Sequence, residues 1–279
     1  MRSGAASGDG STRTERVSAR QACTVLYDRL PTLQSPAVEA TIRRLTGPAT
    51  VEWTRAVGGG GGVPVTGGLV RFGENALHRV VAVALNAPVR REVLERTVAV
   101  SPMPDDRRQA LLGHRAAVRL LYTGDAADPV EELTALYRVA GALVLHGGLG
   151  ILNERAALAL PAELVRRYLP ELGGETPPIS LWVGAVTFPL DEERYLMRTY
   201  GMEQMDLPDL AMYMHDRSHA DEVYHVLINT CLYMVENRRQ TLGPGHRVDF
   251  KERTYLLTEP SETGPEFESH TGLLLMVEV

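Results

Sequence analysis

Lysine and cysteine are nearly missing from this 279-residue chain. Of its 29 basic residues, 28 are arginine and Lys251 is the single lysine. A Walker A loop, the kinase strand lysine and most Schiff-base mechanisms each need a lysine in a defined setting, and the VDFKERTY context of Lys251 supplies none of them. The arginine bias fits genomic base composition as well as anion binding. Cys23 and Cys231 lie far apart with no CxxC pair, which argues against a disulfide framework or a thiolate zinc site and fits a reducing compartment. No run reaches the roughly 18 apolar residues of a membrane span. The opening MRSGAASGDGSTRTER has no apolar core of a signal peptide, so the expected location is cytoplasmic, with no membrane partner. A formal charge of −6 lacks the basic excess of a phosphate-backbone binder, so no nucleic-acid partner is expected either.

What is present is an ordinary globular composition, 44% hydrophobic and 23% charged, long enough for one large domain or two small ones. Residues 1–20 are Gly-, Ser-, Thr- and Arg-rich and read as a flexible tail. ACTVLYDRL then reads as a strand, and SPAVEATIRRL as a helix capped by Ser35 with Pro36 first. TVEWTRAV alternates as a half-covered strand, and the five glycines at 58–62 break it. HRVVAVALNAP has the unbroken apolar run of a central strand, VRREVLERTV follows as a helix, and HRAAVRLLYTG as another strand. The order predicts an α+β fold in which residues 21–147 form a ferredoxin-like β-α-β-β-α-β half with mainly antiparallel strands and its helices on one face.

Beyond it, Asp128 and Pro129 open a helix that is apolar nearly all round and stops at Gly147 and Gly148. LGILN, a helix around PAELVRRYL, and the strands ISLWVGAVTF, YLMRTYGM and LPDLAMYM follow, with ISLWVGAVTF expected to be central. A long helix runs from Ser218 to about Arg239, and HRVDF, RTYLLTE and GLLLMVEV complete the chain as strands. Residues 148–279 are therefore laid out as a second ferredoxin-like half packed with the first as one unit.

Candidate sites are few. MHDRSHADEVYH gathers His215, Asp216, His219, Asp221, Glu222 and His225 within eleven residues, a set with metal-ligand chemistry. His219 and His225 are six apart, however, and only Asp221 or Glu222 shares a helical face with His225. Ser218 with Asp221 also reads as a helix-capping pair, in which the acids complement the helix dipole. His114 opens a strand after a helix and reads either as a hydrogen bond that closes the helix or as a functional group. LHGGLG has the HGG of an oxyanion loop without a G-x-S-x-G elbow, so it reads as a helix stop with His146 in the last turn. The glycines at 58–62 lack a phosphate-binding setting, and Asp191, Glu192 and Glu193 after Pro189 read as a hairpin turn. No catalytic residue, metal or cofactor is assigned from these patterns.

Thr199, Tyr200, Gly201 and Met202, then Leu207, Pro208, Asp209 and Leu210, then a long helix and the turn at Gly243, Pro244, Gly245 and His246, follow an order that resembles a bacterial family, domain of unknown function 4261. LNAPVRREVLE and GHRAAVRLLYTG are similar to its upstream elements, so the resemblance covers roughly residues 22–258. It implies a bacterial accessory protein and brings no activity or catalytic residue with it. Three functions are carried forward. The first is a non-catalytic protein-binding or regulatory module, the second an enzyme or ligand binder built on His114 and His215 to His225, and the third a self-assembling component that pairs through edge strands such as GLLLMVEV.

Overall fold

The computed structural model describes residues 21–56, 65–238 and 242–279, so the expected tail at 1–20 and the glycine run at 58–62 lie outside the described residues. Along the chain come β1 (Ala22–Tyr27), α1 (Pro36–Thr46), β2 (Ala49–Ala56), β3 (Val65–Phe72), β4 (His78–Leu85), α2 (Arg91–Val100), α3 (Asp105–Leu112), β5 (Ala116–Tyr122) and α4 (Pro129–Leu145). There follow β6 (Gly150–Asn153), β7 (Leu158–Pro161), α5 (Ala162–Tyr168), β8 (Gly184–Pro189), β9 (Tyr195–Tyr200), β10 (Asp209–Met214), α6 (Ala220–Glu236), β11 (Arg247–Phe250), β12 (Arg253–Thr258) and β13 (Leu273–Glu278). The class is α+β, with two mostly antiparallel sheets and six helices among the described residues. No helix among them is long and apolar enough to cross a membrane.

The first sheet runs β2-β3-β4-β5-β1-β6-β7. This order does not reproduce a four-stranded ferredoxin-like half. β2, β3 and β4 form a meander, and β1 sits between β5 and β6, antiparallel to both. The sheet also continues past residue 147, because β6 and β7 are buried throughout and pair with β1 and with each other. Its helices cover both faces, which corrects the expectation of one. Val25 and Tyr27 of β1 join the main core with Val38 and Ile42 of α1 and Leu136 of α4. Leu26, between them and so on the opposite face, packs with Leu94 and Val98 of α2 and Leu111 of α3. Helix α3 was not foreseen, since DDRRQALL buries only Leu111 and has almost no apolar stripe to read.

Local sequence accounts for the helix starts that matter. Ser35 accepts from the Val38 amide at 3.3 Å with Pro36 in the first turn, and Asp128 accepts from Val130 at 2.9 Å with Pro129 likewise placed. Asp128 is also bound by both terminal nitrogens of Arg238, which ties the start of α4 to the chain just past α6 and holds the Asp128 carboxyl below its ordinary range. Helix α4 is buried along most of its length, as its composition predicts.

The second sheet runs β11-β12-β13-β10-β9-β8, antiparallel except for β10 beside β13. Two expectations are corrected. GLLLMVEV is no edge, because β13 lies between β12 and β10 with Leu273 to Met276 buried. The stretch GAVTFP, expected to be central, is the edge strand β8, while Ile179–Leu181 ahead of it forms a 3-10 turn. Helix α6 covers the inner face, where Leu227, Cys231 and Val235 meet Leu210, Met212 and Met214. On the outer face Phe267 packs with Leu196, Ala211, Leu273 and Leu275.

The sheets are joined by buried amides. Asn153, at the end of β6, donates to the Tyr137 hydroxyl at 3.1 Å and to Gln204 Oε1 at 3.2 Å, and accepts from the Ala156 amide at 3.3 Å. Gln204, in the turn after β9, donates to the carbonyls of Trp182 at 3.1 Å and Gly201 at 3.2 Å, while Gln21 donates to the Gln204 carbonyl at 2.6 Å. Close approach here requires glycine: a Cβ on Gly201, which has φ +113°, would strike the Trp182 carbonyl, and one on Gly184 would strike the Ala156 carbonyl. Replacing Asn153 by Ala orphans three buried groups at once. We expect a loss of about 3 kcal/mol of unfolding free energy in urea denaturation, with the secondary-structure content unchanged.

Candidate functional site

The residues singled out in the sequence do not converge. His114 is 4% exposed and braced at both ring nitrogens, with Nδ1 2.9 Å from the Leu111 carbonyl and Nε2 accepting from the Val89 amide at 2.8 Å. This makes Nδ1 the protonated nitrogen and the ring neutral. Burial pushes its pKa below the ordinary histidine value, offset in part by the Leu111 carbonyl. The ring closes the end of α3 against the turn that leads into α2.

His215, His219, Asp221, Glu222 and His225 are all exposed. Among the described residues no group of three or more His, Cys, Asp or Glu side chains is placed to hold a metal ion. The capping side chain lies two residues earlier than expected and serves a 3-10 turn ahead of α6. Asp216 accepts from the Ser218 amide at 2.9 Å, residues 217–219 form a 3-10 turn, and α6 starts at Ala220, so Ser218 is not the cap. Glu222 pairs instead with Arg253 at 3.1 Å. Asp191 accepts from the amides of Glu193 and Arg194 at 3.0 and 2.7 Å, the Asx-type turn its position suggests. His146 sits at the end of α4 with Nε2 2.8 Å from Thr41 Oγ1. Lys251 occupies the β11–β12 turn at φ +55°. Cys23 and Cys231 are both buried free thiols, and burial drives the Cys23 pKa up to about 12 despite Arg119 and raises that of Cys231 as well. Neither has the thiolate character of a reactive cysteine.

The structure assembles a different feature, a cleft of about 630 Å³ between the edge of the second sheet and the end of α2. One wall is β8, through Ala185, Val186 and Thr187, with Met197 of β9 behind it. Neighbouring side chains in a strand point to opposite faces, so a cleft that touches three in a row runs along the strand's edge. The facing wall is the end of α2 and the turn after it, Ala99, Val100 and Pro102. The start of α6 closes one end with Arg217, Ala220, Asp221 and Tyr224, and the Arg217 guanidinium lies 5.0 Å from the Tyr195 ring centre. Of the residues proposed from sequence, Asp221 alone lines it.

A shallower recess of about 380 Å³ shares Pro102 with the cleft and continues past it to Met103, Pro104, Arg107, Pro161, Glu163, Leu164 and Arg167. The lining of both is mostly apolar, with Arg217 and Asp221 among the residues of the cleft and Arg107, Glu163 and Arg167 among those of the recess. Sequence reasoning passed over β8 because its unbroken apolar run mimics a central strand. The signal that identifies it is Pro189, since proline within a sheet marks an edge or a strand end. No family model matches the chain, and neither a curated protein nor a solved structure matches it.

His114→Ala removes a partner from each of two backbone groups, and we expect a loss of about 2 kcal/mol at neutral pH. The folded-state pKa of His114 lies below its unfolded value near 6.5, so the unfolded chain binds the extra proton. The stability it contributes is present above about pH 6.5 and declines as pH falls through that value toward the folded pKa. Urea midpoints between pH 5 and 8 should therefore fall less steeply toward acid in the variant than in the parent.

Proposed function

We propose that this chain is a non-catalytic protein-interaction module whose working surface is the open edge of β8 and the cleft beside it. The observation that carries the reading is the contact of the cleft with Ala185, Val186 and Thr187 in succession. An incoming strand would hydrogen-bond to β8 and place alternate side chains between β8 and the end of α2, as in strand-addition recognition. Its span is short, because Pro189 ends the pairing edge on one side and Gly184 abuts the Ala156 carbonyl on the other. The resemblance to domain of unknown function 4261 agrees with this reading, and we propose membership of that bacterial family with an accessory role.

The test uses a displayed library of random eight-residue peptides selected on the full chain, with the enriched peptides synthesised and titrated by fluorescence anisotropy. Saturable binding is expected, lost by about tenfold or more when alternate peptide nitrogens are methylated or when Ala185→Arg fills the cleft. Absence of enriched peptides, or binding indifferent to both changes, overturns the reading.

A further inference from the structure

We propose that the strand added to β8 is β8 of a second copy of this chain, paired antiparallel about a two-fold axis at Thr187, so that Thr187 of each copy faces its counterpart. This inference rests on the edge reading above and names its partner. A two-fold interface is self-complementary, so whatever lies at one end of the strand must suit what lies at the other. The two ends of β8 differ in that way.

Off the last residue, Pro189, is the turn to β9, with Asp191, Glu192 and Glu193 exposed. Arg194 answers Asp191 at 2.7 Å and also reaches Glu262 at 3.2 Å, which leaves Glu192 and Glu193 without an ion-pair partner among the described residues. Off the first residue, Gly184, lie Ala156 and Leu158, and β7 leads from there to Pro161 and the shallow recess. That recess carries Arg107 and Arg167. Arg107 is engaged by Glu163 at 3.0 Å and approached by Asp106 at 3.6 Å, whereas Arg167 has no ion-pair partner among the described residues.

Antiparallel pairing brings the 189 end of one strand beside the 184 end of the other. It therefore carries the acidic turn of each copy toward the arginine recess of its mate, twice per dimer. The central stretch, Ala185 to Phe188, has no charge to oppose itself. Charge also separates this occupant from a rival within the chain: residues 1–20 carry four arginines against Asp9 and Glu15, a poor complement to a recess holding Arg107 and Arg167.

Sedimentation velocity over a wide concentration range at low and high salt reads the association directly. The parent is expected to dimerise, less tightly as salt rises. Arg167→Glu, and separately Glu192→Arg with Glu193→Arg, should each weaken the dimer by about tenfold or more, and mixing these two variants should restore a heterodimer. Thr187→Cys supplies an independent readout, because the native cysteines are buried: mild oxidation should trap a covalent dimer of the folded protein. A parent that stays monomeric and gives no Thr187→Cys cross-link overturns the inference. If such a monomer still binds selected peptides at β8, the interaction reading stands without self-pairing, and if it binds none, both fall. A dimer indifferent to the charge reversals and not trapped through residue 187 also overturns it, since its interface would lie elsewhere.

Discussion

Within a core that the two sheets share, a handful of buried amides ties one sheet to the other, and the place where β8 meets the first sheet lies at that joint. Gln204 uses its amide nitrogen on the Trp182 and Gly201 carbonyls and its oxygen on Asn153, and Asn153 in turn reaches the Tyr137 hydroxyl on α4. Apart from Gly201 in the same turn, the partners belong to different segments, so the network is satisfied in one arrangement of β6, α4, the turn after β9 and the chain at Trp182. Apolar contact alone would tolerate sliding. Buried hydrogen-bonding groups do not, because any shift leaves a donor or acceptor unpaired away from water. The joint brings β8 up against Ala156 and Leu158 at Gly184 and sets the width of the cleft along the rest of the strand.

Much of this fold was legible locally, and little of it globally. Helices α1 and α4 announce themselves by Ser35-Pro36 and Asp128-Pro129, and nearly every strand has its own run of β-branched or alternating residues. Strand order is another matter. It is decided by which faces bury each other, and nothing in ACTVLY or LGILN says that β1 takes β5 and β6 as neighbours. Hence a two-half pattern fitted the order of elements while the first sheet absorbed β6 and β7. The site was illegible for a related reason. The histidine-rich start of α6 stands out in sequence but is exposed, and its acids serve the helix start and Arg253. The cleft is lined mostly by Ala, Val, Met, Thr and Pro contributed from 99 to 220, residues that carry no chemical signature of their own, and of its polar residues Arg217, Asp221 and Tyr224 only Asp221 stands out in the sequence.

The second sheet shows why β8 is the place where the fold remains open. A sheet can be extended only at an edge, and proteins protect edges by shortness, charge, proline or cover. In the first sheet β7 is four residues long, its Ala159 amide is taken by the Ser101 hydroxyl at 2.8 Å, and Pro161 ends it. At the other side β2 exposes Thr50, Glu52 and Thr54, with Glu52 paired to Arg71. In the second sheet β11 is also four residues long and exposes Arg247 and Asp249. β8 has no charged residue along Ala185 to Phe188, and its proline guards the end only.

The outer face of that sheet is closed at some electrostatic cost. Arg198 and Asp209 form an ion pair at 3.5 Å with both side chains 3% exposed, and burial lifts the Asp209 carboxyl to about 6 in spite of the guanidinium and the Met202 amide beside it. A raised carboxylate pKa means that ionisation disfavours the folded state as pH climbs from the ordinary carboxylate value through 6, so this pair is no simple source of stability at neutral pH. Its geometry points to a positioning role. Arg198 lies over the Tyr200 ring at 4.4 Å and donates to the Glu266 carbonyl at 2.7 Å, one residue before Phe267 enters the outer core, while the Asp209 amide binds the Gly272 carbonyl at 3.1 Å. The charged pair thereby anchors both ends of the segment that covers the outer face. Phe267 thus packs on the outer face and α6 covers the inner one, while the backbone left unpaired is that of the edge strands, of which β8 borders the cleft.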